Sequence, residues 1–200
     1  MNRQLKYLFG LFFVLAAIAG IVHLSSKDEG LKTKRVYAFE QKQVESFKIN
    51  HFTQSYLFKK LDGLWQIKRA ENQLTKKITD DKKAKGKVSK KDKPKFEEAN
   101  SLEVTKALTY LINLEVREPI ATATKKENIF EINPYALHVI FYDGEQNELG
   151  RLYIGKQGPD LMSSYVSEKS LGAVYLVEEN FKLMLLREYE EWIAEQGEKV

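Results

Sequence analysis

From residue 36 onward, apolar side chains mostly alternate with polar ones, and at two places the spacing changes to three or four residues. A period of two marks strands with one buried face, and a period near 3.6 marks amphipathic helices. Val36-Tyr37-Ala38-Phe39 forms a short apolar run that predicts a strand, and residues 44–50 predict another through Val44, Phe47 and Ile49. Residues 56–61 and 64–68 flank Asp62-Gly63. A two-residue Asp-Gly loop is a strong hairpin signal, because both turn positions need positive φ. On the return strand, Trp65 and Ile67 share one face, predicted to point inward, and Leu64, Gln66 and Lys68 share the other. A helix is predicted from residue 96 or 101 to 114, capped by Asn100 or Ser101, with Val104, Leu108, Leu111 and Ile112 on one stripe and Pro119 closing the unit.

The second half repeats this grammar. Leu137, Val139 and Phe141 alternate with His138, Ile140 and Tyr142, so both faces of that strand are apolar in character. Asp143-Gly144 opens a turn, residues 149–154 return, and 163–167 and 173–177 add two strands. The intervening Gly155-Lys156-Gln157-Gly158-Pro159 reads as a loop. Asn180 caps a final predicted helix carrying Phe181, Leu185, Tyr189 and Trp192. Strands followed by a helix, twice, predict an α+β fold of mostly antiparallel sheet, built as two strand-meander-plus-helix units. Whether the two share one sheet is open at this level.

The N-terminal pattern is different. Residues 8–24 are seventeen residues free of Asp, Glu, Lys and Arg, preceded by Arg3 and Lys6. At 1.5 Å per residue they make about 25 Å of helix, slightly under the roughly 30 Å hydrocarbon core. Leu8, Phe12, Phe13, Leu15, Ile18, Ile21, Val22 and Leu24 are its bulky apolar positions. Ala17-Ile18-Ala19 would also fit a signal cleavage site, but the apolar run continues past it, which favours an uncleaved anchor. Absence of cysteine excludes a lipidated N-terminal cysteine. The expected arrangement is a single-pass anchor and linker at 1–30 in the inner (cytoplasmic) membrane. The 31–200 domain then stands on the outer, periplasmic side, since long domains translocate largely regardless of charge.

Charge is uneven. The net charge is +4, yet residues 76–95 alone hold ten lysines against Asp80, Asp81 and Asp92, a net of +7. With no apolar period and with Gly86 and Pro94, this stretch reads as an exposed insert at about 75–95. Its lysines, Lys76, Lys77, Lys82, Lys83, Lys85, Lys87, Lys90, Lys91, Lys93 and Lys95, are candidates for an anionic partner, either an envelope polymer or lipid head groups. Nucleic acid is not expected, since the run lacks arginine and interleaved aromatics.

Signs of chemistry are sparse. His23, His51 and His138 have no metal spacing, and His138 reads as a structural histidine. Gly155-Lys156-Gln157-Gly158 does not fit a phosphate loop, whose lysine follows the second glycine at the mouth of a helix. Ser163-Ser164 lacks the nucleophile elbow. The carboxylate clusters Glu97-Glu98 and Glu188, Glu190, Glu191 read as solvated helix faces. No cofactor or metal is expected.

The succession Val44-x-x-Phe47-x-Ile49, Leu61-Asp62-Gly63-Leu64-Trp65-Gln66-Ile67, Leu152-Tyr153-Ile154-Gly155-Lys156, Tyr165-Val166 and Val174-Tyr175-Leu176-Val177 resembles a known bacterial family. It is a membrane-anchored domain of unknown function, found in envelope proteins and in auxiliary components of gliding-motility-type ABC transport systems. The resemblance covers residues 36–192. The chain departs from it at Phe130-Glu131-Ile132-Asn133-Pro134-Tyr135, which keeps the proline but lacks the family's glycine. It implies a non-enzymatic accessory protein of a larger membrane assembly, partnered by another envelope protein. A binder of anionic polymer or lipid head groups through the lysine insert, and an envelope hydrolase using unflagged carboxylates, are the alternatives.

Overall fold

A computed structural model describes residue 12 and residues 32–72, 74, 94–122, 129–168 and 172–194. The chain divides into two units, Met1–Thr33 and Lys34–Val200, and the sheet belongs to the second. Among the described residues the strands are β1 (Lys34–Arg35), β2 (Ser46–Asn50), β3 (Ser55–Leu61), β4 (Leu64–Arg69), β5 (Glu97–Glu98), β6 (Glu115–Val116), β7 (Ala121–Thr122), β8 (Leu137–Tyr142), β9 (Glu148–Gln157), β10 (Ser164–Glu168) and β11 (Ala173–Val177). Helix α1 spans Ser101–Ile112 and α2 spans Phe181–Leu185. Mostly antiparallel sheet with few helices is therefore the observed architecture.

Nine of these strands form one sheet in the order β5-β4-β3-β2-β8-β9-β10-β11-β7, and β1 pairs with β6 beside it. The two meanders meet edge to edge where β2 pairs with β8, Phe47 opposite Phe141 and Ile49 opposite Val139. This joint answers the question the sequence leaves open: the halves share a sheet. The hairpin at Asp62-Gly63 forms as predicted, with φ of 51° and 81° and Leu61 opposite Leu64.

One sheet face carries the main core. Phe47 stacks on Phe58 at 4.4 Å, with Trp65 and Trp192 edge-on to them. The α1 residues Val104, Leu108, Leu111 and Ile112 and the α2 residues Phe181 and Leu185 join the same buried cluster. Asn100 caps α1 by accepting from the Glu103 amide. On the opposite face, Phe130 and Ile132 pack on Val174 beside Tyr153 and Tyr165, covering β9 to β11.

Four expectations need correction. Val36-Tyr37-Ala38-Phe39 is not a strand: Tyr37 and Phe39 pack on each other and on Phe141, plugging one end of the core. Gly150 makes room for them, since a Cβ there would fall 2.6 Å from the Tyr37 ring. Residues 155–157 are not loop but the end of β9, because Gln157 pairs with Ser164. Glu97-Glu98 is the edge strand β5, and the helix begins only at Ser101. Finally, Phe181 and Trp192 are not on one helix. Backbone at Leu186 (φ −90°, ψ 44°) ends α2, and Tyr189–Trp192 is a separate 3-10 turn. The break carries Tyr189 and Trp192 along the same sheet face to Tyr56 and Phe58 of β3, and the Asn100 amide donates to the Trp192 carbonyl at 2.8 Å.

Candidate docking face

Alternation along β2, β3 and β4 sends Phe47, Ile49, Tyr56, Phe58, Trp65 and Ile67 inward. The same alternation sends Lys48, Leu57, Lys59, Leu64, Gln66 and Lys68 to the other face, where they are half-buried or exposed. Register brings these residues together. Lys48 stands opposite Leu57, and Leu57 opposite Lys68, in one row across three strands. Lys59, two residues along β3, lies in the next row between Ser46 and Gln66. At about 4.8 Å between strands and 3.4 Å per residue, three ammonium groups surround Leu57 with stems rooted within about 10 Å of one another.

Row mates on β8 and β9 extend the face. Ile140 stands between Lys48 and Arg151, and Arg151 is bidentate to Glu148 at 3.1 and 2.6 Å. Glu98, the other carboxylate, sits at the edge opposite Gln66. Lys68 lies 4.4 Å from the Phe96 ring, and among the described residues Lys59 has no ion pair. Lysines, aliphatic side chains and an aromatic are thus interleaved, with the acids at the margins.

Beside this face runs a polar chain that explains His138. Ser55 Oγ donates to Asn50 Oδ1 at 2.6 Å, the Asn50 amide nitrogen donates to His138 Nε2 at 3.2 Å, and His138 Nδ1 donates to the Ala136 carbonyl at 2.9 Å. Burial pushes the imidazole below its ordinary range, with the Arg151 and Lys48 cations acting in the same direction. Each of its nitrogens is engaged, so the ring is held neutral as a strut. Ser164 is likewise structural, donating to the Glu179 carbonyl and accepting from the Phe181 amide. Asp160 accepts from the Met162 and Ser163 amides, and these bonds and that from the Ser163 hydroxyl hold its carboxyl below the usual range. Glu188, Glu190 and Glu191 are solvated, as expected. Gly155 serves packing, since a side chain there would strike the Phe130 carbonyl. Among the described residues, no cluster of His, Cys, Asp and Glu could hold a metal.

Of the ten insert lysines, Lys95 is described and exposed. Lys76, Lys77, Lys82, Lys83, Lys85, Lys87, Lys90, Lys91 and Lys93 lie outside the described residues. So do the anchor positions Leu8, Phe13, Leu15, Ile18, Ile21, Val22 and Leu24, while Phe12 is described and exposed. Among the described residues no helix is long and apolar enough to cross a membrane. Sequence reasoning missed Lys48, Lys59 and Lys68 as a group. Their side of the strand was legible in the alternation, but their meeting depends on register between strands.

Residues 91–197 match the family described as a domain of unknown function, DUF4340, over more than half of the chain. The chain belongs to that family. The DUF4340 stretch takes in β5 to β11 and both helices, whereas β2 to β4, which carry the lysine face, precede it. The sheet nonetheless runs unbroken across that boundary through the β2–β8 pairing. No curated protein and no solved structure matches the chain.

Proposed function

We propose that this DUF4340 chain is a non-enzymatic, membrane-tethered accessory protein of the bacterial cell envelope, a subunit of a larger transport- or motility-type membrane assembly. The observation that carries the reading is the sheet face over β2 to β4, on which no helix or strand packs among the described residues: helices cover the opposite face and residues 129–132 cover β9 to β11. A face of lysines, leucines and an aromatic offers contact area rather than a reacting group. Two of the residues weighed for chemistry in the sequence, His138 and Ser164, are engaged in holding the fold. The charge-free run at 8–24 and the family resemblance supply the tether and the envelope setting.

In-cell crosslinking followed by affinity purification of the full-length protein from detergent-solubilised membranes tests this. Co-purification of a membrane protein, with intact mass retaining residues 1–19, is the expected result. A protein recovered alone and lacking those residues would remove both anchor and partner. A second reading, binding of anionic envelope polymer, is favoured by the net +7 of residues 76–95. Deleting that stretch separates the two, since assembly with a protein partner survives the deletion and polymer binding does not.

A further inference from the structure

The lysine face has a composition that narrows what it fits. Lys48, Lys59 and Lys68 project from three adjacent strands around Leu57. Leu61 and Leu64 continue the same face toward the hairpin tip, where Leu64 is 52% exposed. Long lysine stems lie along apolar surface and lift their ammonium groups outward. The face therefore presents an aliphatic floor under a layer of positive charge. A hydrated anionic polymer would match the charge and leave the leucines unused. An acidic protein would have to supply carboxylates and apolar side chains in the same spacing. A bilayer with anionic lipids supplies phosphates at one depth and acyl chains just beneath.

We infer that the face formed by β2, β3 and β4 docks on an anionic bilayer surface, with Lys59 and Lys68 on phosphate head groups and Leu64 entering the interface. The inference deepens the tethered reading above and rests on it. Each lysine near an anionic surface contributes about fivefold in partitioning. Two lysines then give about thirtyfold, too little to recruit a free protein and enough to orient a tethered one. Residues 25–33, nine in number, reach at most about 30 Å when extended, so a tether at 8–24 keeps the body close enough for this face to meet head groups. Of the acids near this face, Glu148 is paired with Arg151 and Glu98 lies at the sheet edge, while Asp62 stands exposed at the hairpin tip beside Leu64.

The chain has no cysteine, so one introduced cysteine carries a unique label. Full-length Leu64→Cys labelled with bimane is reconstituted into phosphatidylcholine vesicles with or without 30% phosphatidylglycerol. A blue-shifted emission is expected with phosphatidylglycerol alone, reversed by about 0.5 M NaCl, since screening shortens the field to a few ångströms. Lys59→Glu/Lys68→Glu abolishes the shift while its thermal melt stays close to that of the parent. A label at Leu102→Cys, 75% exposed on α1, stays unchanged. An identical Leu64 signal on both vesicles, or one insensitive to the double reversal, overturns the inference. So does a shift that requires added native membrane proteins, which assigns the face to a protein partner and leaves the accessory reading standing. Flotation with pure phosphatidylcholine reads the tether separately: a chain that does not float overturns the tethered reading and the inference with it, whereas a chain that floats with an unshifted Leu64 label on anionic vesicles overturns the inference alone.

Discussion

Leu161 occupies backbone that glycine would accept more easily. Its φ is 60°, and its side chain is 65% exposed. The conformation is imposed by the β9–β10 turn: the Leu161 amide donates to the Gly158 carbonyl, and the Asn180 side chain donates to the Leu161 carbonyl at 2.7 Å. A left-handed leucine costs about 1–2 kcal/mol. Leu161→Gly relieves that strain at some cost in unfolded-chain entropy, so a net rise in Tm of about 2 °C is expected by calorimetry. A fall would mean that the leucine side chain contributes native contacts. His138 supplies a pH dependence. Its folded pKa lies below the ordinary 6.5, so the unfolded chain binds the extra proton first. Stability from this residue is complete above about pH 6.5 and declines as pH falls below it. Protonation of Nε2 would set a donor against the Asn50 amide nitrogen, which the Ser55 hydroxyl keeps in place. Replacing His138 by Gln is expected to flatten the dependence of Tm on pH between 7 and 5, while lowering Tm at pH 7.

At the scale of elements, the C-terminal segment shows how tertiary contacts override helical spacing. Phe181, Leu185, Tyr189 and Trp192 have the spacing of a helix stripe, and only the first two lie on α2. Beyond it, Arg187 pairs with Glu103 of α1, the Tyr189 hydroxyl donates to Glu97 Oε1 at 3.0 Å, and Trp192 packs edge-on to Phe58 at 5.2 Å. A straight helix would run on past these partners. Trp192 is fully buried, but its indole N–H has no acceptor among the described residues. Trp192→Ala should cost about 3–5 kcal/mol in denaturant unfolding. Trp192→Phe keeps a ring against Phe58 and removes an unpaired donor, so its cost is expected to be well under half of that. Equal costs would mean that the indole nitrogen has a partner in solution.

For the molecule as a whole, the matched family stretch and the folding unit differ. Residues 91–197 contain β8, whose Leu137, Val139 and Phe141 are buried against β2 and its neighbours. A fragment starting at residue 91 would expose that strand edge and leave Trp192 without Phe58. Such an edge invites association. The fragment is expected to aggregate or to give poorly dispersed amide spectra, whereas a fragment from residue 32 to 200 gives a cooperative melt. A well-folded 91–197 fragment would show that β2 to β4 dock as a separate layer.

Local grammar was enough for some of this. The Asp62-Gly63 hairpin, the Asn100 cap with its buried stripe on α1, and the two-sided burial of residues 137–142 were legible because turn chemistry and periodicity act within a few residues. Resemblance to a domain-of-unknown-function family was legible in short motifs of the same kind, those at 152–177 lying inside the matched stretch. The charge-free run at 8–24 and the lysine concentration at 76–95 are likewise properties of sequence alone. Tertiary structure decided what depends on partners far along the chain. The pairing of β2 with β8 merged the two meanders, and the needs of Phe58 and Glu103 broke the last helix. Register between β2, β3 and β4 gathered Lys48, Lys59 and Lys68 on one face. Alternation fixes which side of a strand a lysine takes, but its neighbours on that side are set by hydrogen bonds to other strands.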